Sequence, residues 1–232
     1  RDLFQSESDE NIWIVGTSAD NPPYEYMHGG QIVGFDIDLI QEIAKRMGKK
    51  LEIRNMEFHG LIAALNSGSV DMVIAGMSIT KQRSTYVDFS VPYTDAEVAI
   101  LHQKKNRFLE IKDLHGKIIG VQLGTVWALI ANDISMRYNL KVKSLNSNLM
   151  LVEELKTGML DAVILEEFQA NKLISKYIQL TSFQAKQYNS SFAIAMPKNS
   201  TVARSINNEI QTLKKQNFIK ELSKKWGIIG AE

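Results

Sequence analysis

The sequence predicts an α/β protein made of two similar halves, and three observations carry that expectation. Apolar segments of strand length alternate with segments of helical period along the chain, the pattern of α/β layers around mostly parallel sheets. The stretch from Leu65 to Gly76 resembles the stretch from Leu155 to Glu166: each is a helix end, a glycine stop, an aspartate and a buried strand. No linker rich in Gly, Ser or Pro divides the halves, and two extended stretches, 94–98 and 191–195, are the candidate crossings between them.

In chain order, Ile12–Thr17 reads as an apolar strand that Asn21-Pro22-Pro23 ends, because proline lacks a donor and restrains its neighbour. Gly29-Gly30 marks a turn. Phe35, Leu39, Ile40, Ile43 and Met47 fall at helical spacing, with Asp36, Asp38, Gln41 and Lys45 between them, and Gly48 stops that helix. Leu51–Arg54 is a strand, Leu61–Asn66 a helix and Asp71–Ala75 a buried strand; Thr80 caps a helix running to Tyr86. The second half repeats the style. Its strands are Lys117–Gln122, Val142–Leu145 and Asp161–Leu165, and its helices Val126–Tyr138, Leu149–Lys156 and Glu167–Ser175. Phe192–Met196 is a strand closed by Pro197, and helices Thr201–Lys215 and Phe218–Trp226 return to the first half.

Composition narrows the function. The 232 residues are 44% hydrophobic and 23% charged, ordinary for a chain with a full core. With 27 basic and 26 acidic side chains the net charge is +1, which gives no drive toward nucleic acid or membrane. There are no cysteines, so disulfides and thiolate sites are excluded. No apolar run approaches the ~20 residues that cross a bilayer. The chain opens at Arg1 without an apolar signal stretch, which reads as processing or truncation. No phosphate-binding glycine loop and no nucleophile elbow occurs. The four histidines, His28, His59, His102 and His115, lack ligand spacing and read as surface residues; neither metal nor cofactor is expected.

In open α/β sheets, ligands bind beyond the carboxyl ends of strands, which here are Gly76 and Glu166. Arg83 stands three residues after Thr80, at a helix start, where a guanidinium can grip a carboxylate bidentately; the alternative is a surface arginine. Ser78 in the same loop can donate to that carboxylate or cap the helix. Thr125 opens a helix at a strand's carboxyl end in the other half, as a carboxylate donor or a simple N-cap. Glu166 can accept from an ammonium group or serve as a helix-start acid. Phe58 can stack on a ligand or sit in the core. Glu25 can meet a cationic ligand end or be a solvated loop acid.

Four segments then occur in order: 15–26 (Val-Gly-Thr-Ser-Ala-Asp-Asn-Pro-Pro-Tyr-Glu-Tyr), 34–39 (Gly-Phe-Asp-Ile-Asp-Leu), 75–83 (Ala-Gly-Met-Ser-Ile-Thr-Lys-Gln-Arg) and 88–93 (Asp-Phe-Ser-Val-Pro-Tyr). Together they resemble the polar amino-acid-binding proteins of ABC transporters, and the likeness spans essentially the whole chain, in its details most like an arginine binder. The resemblance implies a type II periplasmic-binding-protein fold: lobe I from 1–95 with 195–232, lobe II from 96–194, and a two-strand hinge. It implies a monomer outside the cytoplasmic membrane that takes a free amino acid, arginine first, between its lobes and passes it to a membrane permease. By position, Arg83, Ser78 and Thr125 hold the α-carboxylate, Gly76 (after Ala75) and Glu166 the α-ammonium, Phe58 the side chain, and Glu25 with Gln122 a guanidinium. Asn21 replaces a frequent aromatic. Ser18 replaces the aspartate of the lysine/arginine/ornithine binders, which weakens recognition of lysine. A dehydratase-like enzyme on this fold and the sensor domain of a receptor are the competing readings.

Overall fold

The structure, a computed structural model, describes residues 11–226. The outermost parts of the expected first lobe, 1–10 and 227–232, lie outside the described residues.

The first half opens with strand β1 (Ile12–Thr17) and a small antiparallel sheet of β2 (Asp20–Asn21), β3 (Glu25–His28) and β4 (Gln31–Val33). Helix α1 (Phe35–Arg46) follows, burying Phe35, Ile37, Leu39, Ile40 and Ile43. Strand β5 (Lys50–Asn55), helix α2 (Leu61–Ser67), strand β6 (Met72–Val73), one-turn helix α3 (Lys81–Ser84) and strand β7 (Val87–Phe89) complete it. Strand β8 (Thr94–Ala96) leads into β9 (Val98–Gln103), and then come β10 (Ile118–Gln122), α4 (Val126–Tyr138), β11 (Lys141–Leu145), α5 (Asn148–Thr157), β12 (Ala162–Glu166), α6 (Glu167–Lys176) and β13 (Leu180–Gln184). The chain returns through β14 (Ser190–Phe192) and β15 (Ala195–Pro197) to α7 (Ala203–Lys215) and α8 (Phe218–Lys225).

These elements group into two units, Arg1–Thr94 with Ser191–Glu232 and Asp95–Ser190. The stretches that connect them, β8 and β14, pair as a two-stranded sheet. Each unit holds one five-stranded sheet. In the first unit the order is β5-β1-β6-β15-β7, with β5, β1 and β6 parallel and β15 antiparallel to both neighbours. In the second it is β11-β10-β12-β9-β13, with β11, β10 and β12 parallel and β9 antiparallel to both neighbours. The two sheets are thus built alike.

The recurring stretch owes its form to shared physics. Helix α2 ends at Gly68 (φ 79°) and α5 at Gly158 (φ 85°), both left-handed caps that cost a glycine nothing. The aspartate that follows stitches the next strand to the first. The Ile14 amide donates to Asp71 Oδ2 at 2.9 Å, and the Ile118 amide donates to Asp161 Oδ2 at 2.9 Å. Two residues past each isoleucine lies a glycine, Gly16 or Gly120, under the following helix. A β-carbon on Gly120 would stand 2.5 Å from Leu160 and 2.8 Å from Leu151; on Gly16 it would stand 3.1 Å from Leu61. Gly120→Ala is therefore expected to destabilise the protein by ~1–3 kcal/mol through overpacking, and Gly16→Ala by less. Urea unfolding of the two variants measures the difference.

The cores follow the sheets. Leu61, Leu65, Val70, Val73, Val87 and Ala195 cluster in the first unit, and Leu101, Leu151, Leu155, Val163, Leu165 and Leu180 in the second. The C-terminal helices belong to the first unit: the Trp226 indole donates to Asp38 Oδ2 at 2.8 Å, and Lys225 pairs with the same carboxylate at 2.7 Å.

Several expectations change. The helix capped by Thr80 is a single turn ending at Ser84. The expected strand 192–196 is split into β14 and β15, where the Ala193 amide turns to the Met77 carbonyl and the Ser90 amide to the Ile194 carbonyl. His102 is buried on β9, its ring against Phe108 and Phe183 and its Nδ1 2.9 Å from the Gln103 carbonyl, so it is no surface histidine. Asp36, placed on the polar side of its helix by periodicity, is fully buried.

Candidate functional site

The expected site residues fall at the carboxyl ends of the parallel strands of each unit. In the first unit, the loop after β6 carries Gly76 and Ser78 into α3. The Thr80 hydroxyl accepts the Arg83 amide at 3.0 Å, capping the turn and fixing where the arginine starts. Arg83 is only 7% exposed. Its Nη1 donates to the Ser78 carbonyl at 3.0 Å, and it lies 5.4 Å from the centre of the Phe58 ring. Burial pulls its pKa down to about 10, so it remains charged at neutral pH. The Ser78 hydroxyl is fully buried and meets no hydrogen-bonding partner among the described residues. Buried hydroxyls are seldom left so, because an unmade bond costs about 1–3 kcal/mol. Phe58 therefore packs on Arg83 and against the core cluster of the unit. The side chain of Ala75 belongs to that core, which leaves only its main chain for any ligand.

Gly76 has φ +55°, and a β-carbon there would stand 2.7 Å from the Asn21 side-chain amide. Only glycine fits both the conformation and the space. Its amide donates to Asp36 Oδ2 at 2.8 Å. Asp36 Oδ1 accepts the Tyr93 hydroxyl at 2.9 Å. Glu25 is fully buried beside Asp36, and its Oε1 accepts from Asn21 Nδ2 at 3.1 Å. The solvated loop acid is thus excluded. Burial, and then the charge of Asp36, push the Glu25 carboxyl well above the usual carboxylate range; burial raises Asp36 too. Ser18, read as offering no counter-charge of its own, donates its hydroxyl to Asp20 Oδ1 at 3.2 Å, so an acid lies beside it.

In the second unit, Glu166 ends β12 and is the N-cap of α6. Its Oε2 accepts the Gln169 amide at 3.1 Å. It is 4% exposed, and burial pushes its carboxyl up to about 7 despite the amide donors. Thr125 has N-cap geometry at α4, yet its hydroxyl donates to the Gln122 carbonyl at 2.8 Å instead of accepting a helix amide. Simple side-chain capping is thereby excluded, and the hydroxyl keeps lone pairs only. Gln122 is buried at the end of β10, its amide 3.3 Å from the Asn146 carbonyl.

Each unit thus brings together a set of buried polar groups at strand ends: Arg83, Ser78, Gly76, Glu25 and Asn21 in one, Glu166, Thr125 and Gln122 in the other. Among the described residues no group of acids and histidines could hold a metal ion, and no helix is long and apolar enough to cross a membrane. Sequence reasoning missed Asp36, Tyr93 and Asp20. Their partners lie far away in sequence or are disguised, although an acid one residue into a helix whose preceding position is Gly34-Phe35 was a signal open to reading.

Residues 13–229 match the family of bacterial extracellular solute-binding proteins, family 3. The arginine-binding extracellular protein ArtP of Bacillus subtilis (strain 168) is 37% identical over 224 residues, which cover 95% of this chain and 88% of that protein. A solved ancestral arginine-binding protein bound to arginine superposes with a TM-score of 0.88 at 36% identity, covering 93% of this chain and 98% of the other. A solved ancestral amino-acid-binding protein, a precursor of cyclohexadienyl dehydratase, superposes with a TM-score of 0.85 at 30% identity, covering 95% and 99%. The type II binding-protein fold read from the sequence is the fold of these neighbours.

Proposed function

The chain belongs to the bacterial extracellular solute-binding proteins of family 3, and from that premise we propose that it captures a free amino acid, L-arginine first, outside the cytoplasmic membrane and hands it to the permease of an ABC transporter. The observation that carries the reading is the pairing of a buried guanidinium with a buried, partnerless hydroxyl at Arg83 and Ser78. A ligand carboxylate satisfies both: it neutralises the arginine through a bidentate contact and gives the serine an acceptor. Glu166 and the Gly76 carbonyl take the α-ammonium, since the Gly76 amide is already given to Asp36. Thr125 and Gln122 are assigned to the same ligand. Glu25, oriented by Asn21 and with Asp36 and Asp20 near it, takes the cationic end of the side chain, and Phe58 flanks the aliphatic part. The protein works as a monomer in the periplasm or on the outer face of the membrane. Capture draws on no cofactor.

Ligand choice follows from the acids. A planar guanidinium brings several donors to Glu25 and stacks on an aromatic face, whereas lysine brings a compact, strongly hydrated ammonium. Arginine is expected above lysine by a margin that Asp20 narrows, and both above glutamine and glutamate by roughly one to two orders of magnitude, from the ~1–3 kcal/mol cost of an unsatisfied buried group. Competitive displacement of labelled arginine checks the order; glutamine competing as well as arginine would overturn the role given to Glu25.

One observation supports an enzymatic reading. A carboxyl titrating near 7, as Glu166 does, can act as a general acid at neutral pH, and a dehydration needs one. The binding role is preferred because that same carboxyl is tied to the Gln169 amide as a helix cap. Turnover of a cyclic amino-acid precursor by the purified protein would reverse the preference.

A further inference from the structure

Glu25 and Asp36 are both fully buried, in hydrogen-bonding contact, and unequally supplied with donors. Asp36 accepts from the Gly76 amide on one oxygen and from the Tyr93 hydroxyl on the other. Among the described residues, Glu25 accepts from Asn21 on Oε1 alone, and its Oε2 meets no donor from any other side chain or from the backbone. The remaining titratable groups that act on the pair are Asp20, which is acidic, and Tyr93 and Tyr24, which are neutral phenols. Two ionised carboxylates in contact, both out of water, are not tolerated: one keeps a proton and gives it to the other. The donor count says which. Asp36, already holding two donors, is the carboxylate; Glu25, with its orphan oxygen, is the acid, and that oxygen carries the hydrogen.

We propose that Glu25 and Asp36 share one proton at neutral pH when the protein is ligand-free, and that a cationic ligand side chain replaces this proton, so that arginine enters and a proton leaves to solvent. The inference rests on the functional reading above for the identity of the cation, though not for the sharing itself. It turns Glu25 from a fixed charge into an exchangeable one. The buried charge of the site is then the same before and after binding, which spares the empty protein a second buried carboxylate beside the first. A neutral ligand side chain leaves the proton in place. Asp36 is a positioning residue: it sets which carboxyl holds the proton and, through the Gly76 amide, holds the carbonyl offered to the α-ammonium.

The test is infrared difference spectroscopy of the full chain at neutral pH, read in the carbonyl stretch of protonated carboxyls. The ligand-free protein is expected to show a component that Glu25→Gln lacks and Glu166→Gln retains, and arginine at saturation is expected to remove it. Titration calorimetry of arginine in two buffers of different ionisation enthalpy should then report a proton released from the wild-type protein. In Asp36→Asn, where a lone Glu25 faces an amide donor, the proton released from this pair for each arginine bound should be lost. Absence of a Glu25-dependent component in the ligand-free protein overturns the sharing, whatever the protein binds. A component that persists while calorimetry shows arginine bound overturns the exchange. A component present in a protein that calorimetry finds not to bind arginine upholds the sharing and overturns the ligand assignment instead.

Discussion

Arg83→Ala is expected to abolish amino-acid binding while leaving the protein folded. The guanidinium is the buried cation of the first unit's site, and the ligand carboxylate placed against it would lose its full positive partner while still having to leave water. Removing one member of such a pair costs about 3–5 kcal/mol, or a loss of roughly two to nearly four orders of magnitude in affinity. Stability changes less, because the same substitution removes the expense of burying a charge whose pKa is already pulled down to about 10. Arg83→Lys separates charge from geometry: it keeps the cation and loses the fork, and is expected to bind far more weakly than the native protein and somewhat better than the alanine variant. Calorimetry with arginine reads the affinities, and circular dichroism the fold. Near-normal affinity in the alanine variant would sink the assignment.

Glu166 sets a pH dependence whose sign can be worked out. Its carboxyl titrates at about 7 in the folded chain against an unperturbed 4.5. Between those values the folded protein binds the proton and the unfolded chain does not, so this group makes stability fall as pH rises from 4.5 to 7, by ~3 kcal/mol in all. An α-ammonium group beside it favours the ionised form and lowers that pKa. For an amino acid with a neutral side chain, affinity is therefore expected to be level above about pH 7 and to fall by up to about tenfold for each pH unit below it, roughly a hundredfold by pH 5. Because the α-ammonium is common to all amino acids, the same dependence should appear with every amino acid that binds, whereas the effect of Glu25 should appear only with cationic side chains. Glu166→Gln should bind weakly and lose this slope; binding by the native protein that is flat from pH 8 to 5 would contradict the role.

What the sequence made legible was what depends on neighbours in the chain. The helical period of Phe35–Met47 and of Val126–Tyr138 predicts α1 and α4 to within a residue, and the glycine–aspartate pattern at Gly68 and Gly158 marks equivalent turns that the structure explains by equivalent hydrogen bonds. The candidate site was legible for the same reason: Arg83, Ser78, Thr125 and Glu166 stand at strand-to-helix junctions that the pattern locates. Strand β13 escaped because its signal is weak, and β9, although apolar, because nothing local separates it from the stretch before it. Leu180–Gln184 is a half-polar edge strand, and Val98–Gln103 runs straight on from an extended crossing. The buried carboxyl pair escaped because burial of Asp36 is created by Gly76 and Tyr93, 40 and 57 residues away. Periodicity assigned it to the wet side of α1, and no local rule corrects that.

The place of β15 in the first sheet has a consequence for synthesis. All five strands of the second unit's sheet lie between Val98 and Gln184, so that sheet can be completed as soon as its own stretch of chain has emerged. The first unit's sheet cannot. Its strand β7 is joined to β6 only through β15, which begins at Ala195. For the time taken to make about 100 further residues, roughly 5–20 seconds at ordinary ribosomal speed, β6 presents an open edge and β7 has no partner in the sheet. An unpaired, apolar edge of that kind is where chaperones and misassembly compete for a nascent chain. The unit whose residues are made first is thus the unit whose sheet is finished last.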